Sequence, residues 1–151
     1  MRQAVLEELA PKALSQRLEK GDVVILQPKG VSMLPFIRQG KDKVELGRPD
    51  RLEVGQIVLA FLGGKYFLHR IYAIDGEKVI LKGDGNLCGI ERGTKSDVIG
   101  VVTGIINAKG KVRKPGKAWL WRHTRRYRKY QLKIYRKWVK LQTALKSENK
   151  L

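Results

Sequence analysis

Three short segments carry the residue types that nucleophilic catalysis needs. Gly30-Val31-Ser32-Met33-Leu34-Pro35 offers a serine hydroxyl, which is a poor nucleophile until a neighbouring base takes its proton. A strand just before such a serine and a glycine beside it would expose the oxygen and leave room for a substrate backbone. Leu68-His69-Arg70-Ile71 offers the base, because an imidazole can accept a serine proton near neutral pH. Lys82-Gly83-Asp84-Gly85-Asn86 adds a carboxylate in a glycine-rich stretch. Each segment taken alone also has an ordinary structural reading: a turn, a cross-strand packing histidine, and a hairpin turn. Their value lies in their combination and order.

Other chemistries find little support. Cys88 is the single cysteine, so no intrachain disulfide and no thiolate cluster can form. His69 and His123 are the only histidines. Neither a metal site nor a cofactor is expected.

The elements that must position these residues are mostly strands. Residues 2–20 place Val5, Leu6, Leu9, Ala13, Leu14 and Leu18 at roughly helical spacing, and Pro11 is expected to interrupt or kink that helix. From Asp22 the pattern changes. Short apolar or alternating runs at 23–26, 43–46, 55–62, 65–74, 78–81 and 98–106 are separated by glycine-containing turns. Gly63-Gly64 and Asp75-Gly76 read as hairpin turns. Short strands at this spacing predict a mainly β, antiparallel domain over residues 21–107, preceded by an N-terminal helix over 1–20. Ser32 then follows a strand, and His69 lies inside one.

Charge divides the chain. From Lys109 to Leu151 there are sixteen Lys or Arg and one acid, Glu148, so this segment holds +15 of the total +18. The remaining residues are close to neutral. Such asymmetry concerns partners such as anionic lipid or nucleic acid, and says nothing about fold. Residues 108–116 read as a turn and linker. Beyond them Leu120, Tyr127, Tyr130, Ile134, Trp138, Leu141 and Leu145 recur at three, four or seven residues, with Lys and Arg between. This predicts a basic amphipathic helix within 117–151, its stripe packed on the β-domain or turned to a surface. Trp119, Trp121 and Trp138 with Tyr127 and Tyr130 are residue types enriched at bilayer headgroup level. Residues 117–146 are therefore the candidate contact to an anionic membrane, with nucleic acid the less favoured partner. No apolar run reaches the ~20 residues of a membrane span, and the first residues do not read as a secretion signal. The expected location is cytoplasmic, with peripheral attachment at the inner face of the membrane through the tail.

In order, these segments resemble the superfamily of type I signal peptidases and LexA-like self-cleaving repressors. The nucleophile box there reads Gly/Ser-x-Ser-Met-x-Pro, matched by residues 30–35. A strand beginning Gly-Asp-Ile-Val is matched by Gly55-Gln56-Ile57-Val58, and a Val-His-Arg-Ile/Val base segment of the histidine type by Leu68-His69-Arg70-Ile71. A Lys-Gly-Asp-x-Asn box is matched by residues 82–86, and a closing Gly-x-Val strand by Gly100-Val101-Val102. The resemblance covers about half of the chain.

The resemblance implies a serine peptidase working through an acyl-enzyme, with Ser32 as nucleophile and His69 as general base. Gly30, Val31, Met33 and Pro35 would line the substrate groove, and residues around 23–29 would form one wall. The expected substrate is an extended, leader-type peptide or protein segment with small residues at the scissile position. The sequence departs from the pattern in three places. The N-terminal membrane anchor of many relatives is expected to be missing. The position where histidine-type enzymes place an aspartate is Ile90, so Asp84, Glu91 and Asp97 all remain candidates for the third member. Gly30 stands where many bacterial relatives have an oxyanion-hole serine. Two alternatives stay open: a LexA-like regulatory or nucleic-acid-associated protein, and an inactive peptide-binding module of the same fold.

Overall fold

The computed structural model describes residues 10–85, 89–116 and, within 129–144, residues 129, 130, 133, 134, 136–138, 140, 141, 143 and 144. The fold is mainly β, with an antiparallel curled sheet and a helix before it. That helix, α1, spans Pro11–Glu19. Residues 1–9 of the expected helix lie outside the described residues, and Pro11, expected to interrupt or kink it, is the first residue of α1. Its fixed φ suits a first helical turn, and the N–H it lacks would have no partner there. Leu14 and Leu18, four residues apart on one face, are fully buried, and α1 packs on the long strand 98–106. Burying each of these leucines is worth about 1.5–3 kcal/mol.

The strands are β1 Val24–Leu26, β2 Lys43–Gly47, β3 Ile57–Leu62, β4 Lys65–Asp75, β5 Lys78–Lys82, β6 Glu91–Thr94, β7 Val98–Ile106 and β8 Val112–Arg113. Their order in the sheet is β1-β2-β7-β3-β4-β5-β6, with β8 paired to β7. Every pairing is antiparallel. The β3–β4 and β4–β5 hairpins turn at Gly63-Gly64 and Gly76-Glu77. The segment read as turn and linker, 108–116, contains β8, and Arg113 donates a hydrogen bond to the Phe36 carbonyl.

β3 lies near the middle of the sheet and is buried on both faces. Ile57 and Leu59 join one apolar cluster with Leu14, Leu18, Leu46 and Met33, while Val58 and Ala60 join a second with Ile71, Val79 and Leu81. This alternation follows from side chains leaving a strand on opposite faces. Register shifts at Glu45/Leu46, Leu59/Ala60 and between Ile71 and Ala73 mark bulges or irregularities, which bend strands and increase twist. The third leaves Tyr72 out of the β4–β5 register, just beyond His69 and Arg70.

All described residues between 129 and 144 are α-helical, in agreement with the amphipathic pattern there. The rest of the expected tail helix, with Trp119, Trp121, His123 and Tyr127, lies outside the described residues, as do Asn86 and Cys88. Among the described residues no helix is long and apolar enough to cross a membrane.

Candidate active site

Ser32 opens a tight coil between β1 and β2. Leu34 N–H donates to the Val31 carbonyl, and Phe36 and Ile37 N–H both donate to the Met33 carbonyl. Met33, Leu34 and Ile37 are buried, and Met33 and Ile37 enter the first apolar cluster. These apolar anchors hold the coil onto the sheet, with Ser32 just before them and half-buried. The Ser32 backbone N–H donates to no acceptor among the described residues.

His69 sits in β4 opposite Val58 of β3 and is 4% exposed. The Phe67 ring lies against it, with centroids 5.5 Å apart. His69 Nδ1 is 2.6 Å from Glu91 Oε2, at the start of β6. That contact follows from register. Leu81 of β5 pairs with Ile71 on one side and with Glu91 on the other, which brings the Glu91 carboxylate across β5 to the imidazole.

Arg70 leaves the opposite face of β4. It is 1% exposed, with Nε 2.9 Å and Nη2 2.8 Å from the two Asp84 carboxylate oxygens and Nη1 donating to the Gly55 carbonyl at 2.7 Å. A bidentate guanidinium–carboxylate pair of this kind satisfies both buried charges and fixes their geometry. The guanidinium also lies 5.5 Å from the Phe36 ring centroid. Arg70 and Asp84 thereby tie the end of β5 to the Ser32 coil.

Between the coil and His69 runs the chain 83–85. Gly85 N–H donates to the Ser32 carbonyl at 2.7 Å. A Cβ on Gly83 would stand 2.5 Å from the Ser32 carbonyl oxygen, 3.1 Å from Ser32 Cβ and 3.2 Å from His69 Nε2. A Cβ on Gly85 would stand 2.5 Å from the Val31 carbonyl oxygen. Only glycines let this chain lie so close to the Ser32 backbone. The bare Cα of Gly83 thus lies close to both Ser32 Cβ and His69 Nε2. No hydrogen bond joins the Ser32 hydroxyl to His69 here.

A cleft of about 320 Å³ opens at Ser32 and His69, between 28–30 and 66–69, with Met33, Ile37 and Gln39 at its floor and rim. Of the predicted groove residues, Gly30 and Met33 line it; Val31 and Pro35 do not. Beside it a second hollow of about 490 Å³ shares Pro28, Lys29, Tyr66 and Leu68 and adds Leu59 and Phe61. Burial in this wall raises the Tyr66 hydroxyl above the usual tyrosine pKa.

The three candidate carboxylates thus go to three different places. Glu91 meets His69, Asp84 meets Arg70, and Asp97 accepts from the Thr94 N–H at 2.7 Å, capping the short turn before β7. Arg70 has no counterpart among the predicted site residues. A buried arginine in a strand next to His69 was the signal available for it, since buried arginine needs an acidic partner. Among the described residues no three His, Cys, Asp or Glu side chains come together as a metal site. No protein-family model matches the chain, and no curated protein matches it either.

Proposed function

We infer that the protein is a serine peptidase of the signal peptidase and LexA type. Ser32 is the nucleophile, His69 the general base and Glu91 the group that orients the imidazole. The single observation that carries this reading is that Ser32 and His69 Nε2 both lie against Gly83 while Glu91 holds the other ring nitrogen of His69.

The chemistry follows from the geometry. Glu91 accepts the Nδ1–H proton of His69, which leaves the lone pair on Nε2, the nitrogen that lies against Gly83. His69 removes the hydroxyl proton as Ser32 Oγ attacks the scissile carbonyl carbon. The proton then passes to the departing amine, the C–N bond breaks, and the acyl group remains on Ser32. Water, deprotonated by the same imidazole, releases the acid and restores the hydroxyl. The Ser32 backbone N–H is a donor for the oxyanion, and one such donor is worth about 3 kcal/mol to the transition state.

The substrate is a peptide in extended form. The cleft walls at 28–30 and 66–69 are backbone segments with which it can pair, and the adjoining apolar hollow takes a second side chain on the same face. The enzyme is a serine endopeptidase, and its substrate class is a leader-type or otherwise extended segment.

The separation of the Ser32 hydroxyl from His69 favours one second reading, a peptide-binding module without turnover. A fluorophosphonate probe distinguishes the two. Covalent labelling of the full chain, abolished in Ser32→Ala and cut by at least about a hundredfold in rate in His69→Ala, is the expected result. A wild-type protein that binds extended peptides yet never labels, and cuts no member of a peptide library, would establish the module.

A further inference from the structure

The helix within 129–144 bears an apolar stripe that the β-domain leaves exposed. Tyr130, Ile134, Trp138 and Leu141 follow one another at intervals of four, four and three residues and are 71%, 69%, 46% and 54% exposed. Such intervals place all four on one face. Lys129, Lys133, Lys137 and Lys140, also exposed, flank the stripe. Residues 117–146 contain no Asp or Glu. Arg136, two residues before Trp138 and so turned away from the stripe, donates to the Gly85 carbonyl, and Lys41 lies 5.7 Å from the Trp138 ring. The helix is thus held to the domain beside the Ser32 coil through Arg136 and Trp138, while Tyr130, Ile134 and Leu141 remain more than half exposed.

We propose that this face is an in-plane anchor for an anionic phospholipid bilayer. The composition decides among the possible occupants. A soluble helix that merely faced water would mix charge signs and would not carry four large apolar side chains on its exposed face. A second copy of the chain would bring lysine rows of one sign against each other, and like charges at that distance repel. Nucleic acid would attract the lysines but gains little from isoleucine and leucine, since its affinity comes from phosphate contacts. A bilayer accepts both halves: aliphatic groups enter the acyl boundary, Trp and Tyr sit at headgroup level, and lysines reach the phosphates by their long stems. The hydrogen bond from Arg136 to Gly85 keeps the cleft close to that surface. The anchor does not rest on the peptidase reading, although the two together make a peptide segment near the membrane surface the natural substrate.

The test uses the full chain with phosphatidylcholine vesicles, with and without phosphatidylglycerol, and with duplex DNA as competitor. Cosedimentation only with the anionic vesicles, weakened by high salt, is expected. Ile134→Gln with Leu141→Gln removes two apolar contacts without changing the charge or touching the domain core. It should lower vesicle binding on the order of tenfold or more while leaving DNA binding unchanged. The emission lost in Trp138→Phe should shift to the blue when vesicles are added. No vesicle binding, with DNA bound, would overturn the anchor in favour of nucleic acid. Self-association lost in the double glutamine variant, with no vesicle binding, would overturn it in favour of a dimer face. Undiminished vesicle binding by that variant would also refute it. Fluorophosphonate labelling of the same samples reports separately on the active site, so failure of the anchor and failure of the peptidase assignment remain distinguishable.

Discussion

Glu91 Oε2 lies 2.6 Å from His69 Nδ1 across the full width of β5. The imidazole is nearly buried while the Glu91 side chain keeps 21% exposure. A contact this short holds the orientation of the ring, and a carboxylate beside Nδ1 favours the tautomer with its proton there.

The first prediction follows from that contact. Glu91→Gln can still bond to the imidazole but can present its amide N–H to Nδ1, which favours the wrong tautomer. It should lower kcat by on the order of a hundredfold or more with KM little changed, because the lost interaction serves the transition state. Glu91→Asp, shorter but still anionic, should recover part of the rate. Steady-state kinetics on a cleaved peptide measure both, and a full-rate Glu91→Gln enzyme would remove Glu91 from the mechanism.

Gly83→Ala is the sharpest steric test. Its new methyl would stand 2.5 Å from the Ser32 carbonyl oxygen and 3.2 Å from His69 Nε2. Backbone atoms cannot yield as a flexible side chain can, so the coil and the strand must part. The expected cost is about 1–3 kcal/mol of stability, together with loss of fluorophosphonate labelling. Gly76→Ala serves as a control. Gly76 has positive φ, but nothing lies within 4 Å of its Cβ position, so that variant should lose some stability and keep its labelling rate. Equal labelling by Gly83→Ala and wild type would show that the close approach at Gly83 does not matter.

Acid sensitivity should centre on Asp42, whose side chain is fully buried where the coil enters β2. Burial pushes its carboxyl pKa up, but hydrogen bonds from the Arg38 side chain and backbone N–H, with the Arg38 and Arg113 charges, outweigh that and hold it below the usual carboxylate value. A group held lower in the folded state stabilises fully above its unfolded value of about 3.9, and that contribution is lost as pH falls through the folded value. Asp42→Asn should cost about 1–3 kcal/mol at neutral pH. The gap between variant and wild type in urea denaturation should narrow below about pH 4. A gap that is constant from pH 7 to pH 3 would exclude this source of acid lability.

Sequence alone determined the elements whose cause is local. Apolar or alternating runs marked the long strands β3, β4 and β7, and Gly63-Gly64 marked the hairpin turn between the first two. Apolar residues three and four apart marked the helical stretch around Tyr130–Leu141. The segments bearing Ser32 and His69 stood out by residue type and order. The effect of Pro11 depends on position: inside a helix proline breaks the ladder, at the first position it starts one, and here it is the first residue of α1. β6, Glu91-Arg92-Gly93-Thr94, was invisible because nothing in its composition favours a strand; its pairing with β5 makes it one. That same pairing decided which acid serves His69. Asp84, Glu91 and Asp97 were equivalent along the chain, since sequence distance does not fix spatial distance once strands pair. Register then carried Glu91 to the imidazole, gave Asp84 to buried Arg70 and turned Asp97 to a cap. Only the fold could make that choice, because strand pairing and turn geometry set which donor lies within reach of each carboxylate.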